Sequence, residues 1–169
     1  RLVCSLDRIN WKFHGKPYRS LKDWPHIDQN PRKLGRRCIQ AYLNVSGTNN
    51  ENEPGNRFYE GSHNAFRKFS KPYRGMDDTD WFKLDDDMIN TIPKEYDLEL
   101  VKPLCPPGSL VLWDSRTIHS PHDGSDFGIG RCVFYMCYLP YQPETFTTKE
   151  EKKKVSAFVD MRSTPHTPF

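Results

Sequence analysis

The strongest constraint on this chain's fold is the run Arg131-Cys-Val-Phe-Tyr-Met-Cys-Tyr-Leu139, closed by Pro140. Its β-branched and aromatic content reads as a buried strand. Ile39-Gln-Ala-Tyr-Leu-Asn-Val45 alternates strictly, with Ile39, Ala41, Leu43 and Val45 on one face and Gln40, Tyr42 and Asn44 on the other. The polar face is a candidate ligand wall. Leu98 to Lys102 and Ser109 to Trp113 are two further strands, the second launched from the turn Pro106-Pro107-Gly108. Many short strands with Gly/Pro turns and few helices predict a mainly β sandwich or double-sheet jelly roll rather than a parallel α/β sheet.

Thr48 to Gly55 is polar and turn-rich, and reads as a loop between two strands. Asn64 to Lys94 reads as an insertion. Within it, Trp81, Leu84, Met88 and Ile92 predict a short helix over Asp80 to Ile92, with Asp77, Asp78 and Asp80 as capping carboxylates. Near the end, Thr147-Thr148-Lys149-Glu150 is a capping-box pattern opening a helix of Lys152 to Met161, with Val155, Phe158 and Val159 inward. The tail after Arg162 is Pro-rich and expected to be irregular.

A length of 169 residues without repeat or linker fits one domain over 1–169, and the absence of an initiator Met suggests that an N-terminal portion precedes residue 1. The hydrophobic fraction is only 36%, but the 13% of aromatic residues is spread along the chain and excludes a disordered composition. The formal charge of +3 arises from interspersed signs, so neither a nucleic-acid partner nor a membrane surface is called for. Cys4, Cys38, Cys105, Cys132 and Cys137 contain no C-x-x-C pair, which disfavours a disulfide framework and a zinc knuckle. Reduced thiols, and hence an intracellular, cytoplasmic location, are expected. No apolar run approaches the length of a membrane span.

The chemistry is concentrated in two places. In Trp24-Pro25-His26-Ile27-Asp28, His26 and Asp28 are two apart and project from one face of a strand. His119 follows the strand Ser109 to Trp113 and is the candidate third ligand, with His122 as its rival. Two His and one carboxylate on one face of an octahedron leave three open positions, which suits non-haem Fe(II) with a bidentate co-substrate and O₂. Arg131 heads a face shared with Val133 and Tyr135. A buried guanidinium there requires an anion, either the distal carboxylate of 2-oxoglutarate or an internal Asp or Glu. His14 and His166 have no partner at useful spacing, and His63 reads as a hydrogen-bonding residue in a turn.

The order of these parts resembles the phytanoyl-CoA dioxygenase-like family of Fe(II)/2-oxoglutarate-dependent oxygenases. The matching pieces are His26-Ile27-Asp28, the strand Ile39 to Val45, Asn49 to Pro54 running into Glu60-Gly61-Ser62-His63, then Pro107-Gly108-Ser109, His119 and Arg131, over about residues 24 to 140. The resemblance implies a double-stranded β-helix with a few flanking helices, and iron held by His26, Asp28 and His119. It also implies oxidation of a small-molecule substrate coupled to conversion of 2-oxoglutarate into succinate and CO₂. Because Asp28 is present, hydroxylation is expected in preference to halogenation. Tyr42, with Gln40 behind it, is the candidate contact to a 2-oxoglutarate carboxylate; Ser120 is a further one, adjacent to the distal His where the family often has it two residues on. The helical N-terminal region of the family is not recognisable. Residues from Trp11 to Trp24 and from the insertion are expected to line the substrate pocket. Two alternatives are a cupin-like metal-dependent hydrolase or lyase, against which Arg131 argues, and an inactive jelly-roll binding module.

Overall fold

The computed structural model describes residues 1–13, 23–73, 80–125, 129–144 and 147–163. His14, His166, Asp77, Asp78 and the end of the Pro-rich tail lie outside them, as do parts of the expected pocket-lining stretches.

The strands are β1 (Leu2–Cys4), β2 (Ile9–Lys12), β3 (His26–Ile27), β4 (Ile39–Asn44), β5 (Gly55–Tyr59), β6 (Phe82–Lys83), β7 (Leu100–Val101), β8 (Ser109–Asp114), β9 (His119–His122) and β10 (Arg131–Pro140). The helices are α1 (Ser62–Phe69), α2 (Asp86–Glu95) and α3 (Thr148–Val159). The strands form two five-stranded antiparallel sheets. One runs β1-β10-β4-β8, with β2 also on β10; the other runs β6-β3-β9-β5-β7. This is the double-sheet jelly roll expected from the pattern of short strands.

The long run at Arg131 is the spine of the first sheet, because β10 pairs with β1 and β2 on one side and β4 on the other. The alternation of β4 is realised as expected. Gln40, Tyr42 and Asn44 are all buried, facing the second sheet, while Val45 just beyond the strand is exposed. Tyr42, Phe58, Trp113 and Val133 fill the space between the sheets.

The outer side of the second sheet carries a separate apolar cluster. Ile27, Phe82 and Ile118 from the sheet side meet Phe66 and Phe69 of α1 and Met88 and Ile92 of α2. Here the expected helix is corrected. Asp85, not Asp80, is the cap, accepting from the Met88 amide, and α2 starts at Asp86. Phe82–Lys83 instead pairs with β3, which converts the presumed first turn into strand. Asp80 is engaged by the Asn30 amide and Lys33. His63 lies not in a turn but in the first turn of α1.

The capping box of α3 forms as read, with Thr147 and Glu150 bonded reciprocally. Its burial does not follow the expectation: Val155, Phe158 and Val159 are 58%, 70% and 70% exposed, and only Ala157 is buried. Helical spacing creates an apolar stripe, but burial needs a layer to receive it, and among the described residues none covers it.

Candidate active site

His26 and His119 are directly opposed in the register of β3 and β9. A cross-strand pair projects to the same face, so the two imidazoles meet between the sheets with ring centroids 4.3 Å apart. Asp28, one residue beyond β3, completes the set. Its Oδ1 is 3.6 Å from His26 Nε2 and its Oδ2 is 3.5 Å from His119 Nε2. These three residues form the one cluster of potential metal-ligating side chains found among the described residues. Cis ligands around a first-row ion with bonds of about 2.1 Å stand about 3 Å apart, so each imidazole is within about half an ångström of that spacing from its nearer Asp28 oxygen, and one donor atom from each residue falls within a 4.8 Å set.

The ring tautomers point the same way. His26 Nδ1 lies 3.1 Å from the Trp24 carbonyl and His119 Nδ1 lies 2.9 Å from the Thr117 carbonyl. A carbonyl can only accept, so each Nδ1 carries the proton and each Nε2 presents a lone pair toward Asp28. Trp24 stacks on His26 at 4.3 Å with an interplanar angle of 13°, and Phe58 and Trp113 flank His119. Gln40 donates to Asp28 Oδ2 at 2.8 Å, which fixes the carboxylate's rotation. Beneath it, a hydrogen bond from Cys137 holds the Cys38 thiol below its ordinary pKa against the opposing effect of burial.

Arg131 opens β10 and is 5% exposed. One terminal nitrogen donates to Asn56 Oδ1 at 2.8 Å across the two sheets, and the guanidinium lies 5.2 Å over the Tyr42 ring. No carboxylate among the described residues pairs with it, so the internal salt bridge weighed from the sequence is not found there. Its Nε is without a partner, as are Gln40 Oε1 and Trp113 Nε1. Of these atoms, those of Arg131 and Trp113 belong to residues that line one cavity, and that of Gln40 lies behind Asp28. Such atoms are costly in a finished core and mark a place where a ligand completes the bonding.

That cavity, of about 260 Å³, is lined by His26, Asp28, His119, Arg131, Trp24 and Trp113, among others. Gln40 and Tyr42 are not in its wall. They sit one layer behind, under Asp28 and Arg131 respectively, so the expectation that Tyr42 contacts the co-substrate directly is corrected to a supporting position. Burial pushes the Tyr42 phenol up to about 12, partly offset by the Arg131 charge. Ser120 is also corrected: alternation along β9 turns it to the opposite face from His119, where it is buried and lines a separate cleft with Pro25, Tyr59 and Ile89. His122, the rival for the distal ligand, bonds Asp23 instead, at 3.1 Å. Lys12, buried and paired with Asp123 at 3.1 Å, and Asp23 line the cavity from within the stretch Trp11 to Trp24 expected there, whereas Asn56 had no local signal.

No protein-family model matches the chain. It is 31% identical over 163 residues to Ava biosynthesis cluster protein O of Aspergillus versicolor, covering 90% of this chain and 51% of that protein. The chain thus spans about half the length of this curated relative. Among solved structures it resembles the epimerase SnoN in complex with Fe³⁺, α-ketoglutarate and nogalamycin RO, at a TM-score of 0.53 and 16% identity over 84% of this chain and 54% of SnoN. It also resembles the non-haem α-ketoglutarate-dependent carbocyclase SnoK, at a TM-score of 0.50 and 17% identity over 95% of this chain and 56% of SnoK. The fold is shared with these enzymes. It is the double-stranded β-helix that the sequence resemblance implies. No helix among the described residues is long and apolar enough to cross a membrane.

Proposed function

We propose that this chain carries the active site of an Fe(II)- and 2-oxoglutarate-dependent oxygenase acting on a small molecule. His26, Asp28 and His119 hold the metal, and Arg131 holds the distal carboxylate of 2-oxoglutarate. The observation that carries this reading is the pairing of a buried donor triad with a buried guanidinium that meets no carboxylate among the described residues, both in one cavity. SnoN, which shares the fold, was crystallised with Fe³⁺ and α-ketoglutarate.

When bound, iron and the keto acid supply the oxidising chemistry. The protein's own contributions are geometric and electrostatic. The Trp24 and Thr117 carbonyls fix the imidazole tautomers, Gln40 fixes Asp28, and Asn56 with the Tyr42 ring aims Arg131. Stacked aromatic side chains exclude water from the imidazoles. Retention of the carboxylate ligand Asp28 favours hydroxylation or a related oxidation. A hydrolase or lyase on the same triad leaves the Arg131 guanidinium without a purpose.

The direct test is equilibrium binding of 2-oxoglutarate to Fe(II)-loaded protein kept free of oxygen. Loss of a bidentate charge-assisted contact in Arg131→Ala is expected to weaken binding by about 10–150-fold. Unchanged affinity would remove Arg131, and with it the co-substrate assignment.

A further inference from the structure

The cavity that contains the triad holds a second polar arrangement that neither the metal nor 2-oxoglutarate uses. His122, at the end of β9, lines the cavity together with Asp23. Its Nδ1 is 3.1 Å from Asp23 Oδ1, and Asp23 Oδ2 accepts from an Arg57 terminal nitrogen at 3.2 Å. The two carboxylate oxygens are thus divided between one imidazole and one guanidinium. Because an ionised carboxylate can only accept, Nδ1 carries a ring proton, and in the neutral imidazole Nε2 is left as an acceptor. Among the described residues nothing bonds to that Nε2.

The partly exposed Asp23–Arg57 ion pair contributes little to stability. What Asp23 does provide is a ring fixed in orientation and tautomer with one unused acceptor, which is what a recognition element requires. The rest of the wall defines what could accompany it. Trp24, Trp113, Tyr135, Pro54 and Pro121 are apolar surfaces, the Lys12 charge is neutralised by Asp123, and Arg8 and Asn10 complete the wall. A neutral acceptor beside flat apolar walls selects a neutral ring that carries a hydroxyl. Neither a carboxylate nor a carbonyl has a proton to give that Nε2.

The geometry points to His122 as a substrate-orienting residue that accepts a hydrogen bond from a hydroxyl group on an otherwise apolar, ring-containing substrate, with Asp23 as its positioning partner. This deepens the oxygenase reading and rests on it for the word substrate, but the recognition itself can be tested separately.

The probes are phenol and toluene, which present the same ring with a hydroxyl or a methyl group. Their affinities are measured by ligand-observed NMR on the full chain, both metal-free and loaded with Zn(II) and 2-oxoglutarate. Uptake of Zn(II) and 2-oxoglutarate is measured first. Failure of uptake counts against the oxygenase reading, whereas the phenol-to-toluene ratio speaks only to His122. The wild type is expected to prefer phenol by about three- to tenfold, the value of one hydrogen bond. His122→Phe should abolish that preference while leaving toluene affinity within about twofold. Asp23→Asn offers an amide that can donate to Nδ1 and drive the proton to Nε2; it should reduce the preference with the imidazole still present, and it carries the test if His122→Phe does not fold. Equal binding of the two probes by the wild type, or an undiminished preference in either folded variant, overturns the inference.

Discussion

The two sides of β3 show how one short strand serves opposite ends. Ile27 points outward and is fully buried among Phe66, Phe69, Phe82, Leu84, Met88, Ile92 and Ile118. His26, its neighbour, points inward and is almost as deeply buried, but among Asp28, His119 and the stacked Trp24. Burial alone does not separate these environments; bonding does. The outer cluster is apolar and closes on itself, while the inner one gathers polar atoms that the described residues do not satisfy. Apolar burial stabilises the fold, and the unsatisfied polar set keeps a ligand site ready at some cost to it. Helices α1 and α2 belong to the first purpose, clamping the back of the sheet so that the triad on its front keeps its spacing.

Substitution on each side should separate stability from activity. His119→Ala is expected to reduce iron retention and turnover by more than about 100-fold, with the unfolding free energy within about 1 kcal/mol of wild type; metal analysis and urea denaturation read the two quantities. Phe66→Ala should do the reverse, costing about 3–5 kcal/mol of stability while the folded fraction still takes up one equivalent of Fe(II). Global unfolding of the first variant, or full stability of the second, would break the division between the two sides.

A change behind the site sharpens it further. Gln40→Leu leaves the ligands in place but frees the Asp28 carboxylate, and should weaken metal binding by about 10–100-fold. Undiminished affinity would mean that Asp28 is positioned without Gln40. The smallest effect is confined to alkaline pH. Tyr42 ionises near 10 when unfolded but only at about 12 when buried. Its folded pKa is raised, so the stabilisation is fully present below pH 10 and is lost as pH rises from 10 through about 12. Denaturant midpoints of wild type should fall across that window more steeply than those of Tyr42→Phe; parallel curves would show that Tyr42 is not held neutral.

What could be read from the chain and what could not divide along physical lines. His26 with Asp28 was legible because strand alternation places residues two apart on one face, and His119 because it follows a recognisable strand. Alternation also made the polar face of β4 legible, but not its depth, so Gln40 and Tyr42 were placed in the wall when they lie behind it. Ser120 shows the opposite hazard: adjacency in sequence to a ligand means, on a strand, the other face. Partners that depend on packing of one sheet on the other left no local trace. Asn56 and Arg131 are 75 residues apart, and Asp23 and His122 are 99 apart. The cap of α2 was misjudged because the pairing of Phe82–Lys83 with β3 overrode helical spacing. The exposed stripe of α3 was misjudged because periodicity describes a face and not what lies against it.

Anaerobic reconstitution with Fe(II), followed by the visible spectrum on adding 2-oxoglutarate, decides whether the triad and Arg131 form one centre. A weak charge-transfer band, with slow substrate-free formation of succinate once air is admitted, is expected. A folded protein that retains one Fe(II) yet gives neither the band nor succinate would contradict the oxygenase assignment.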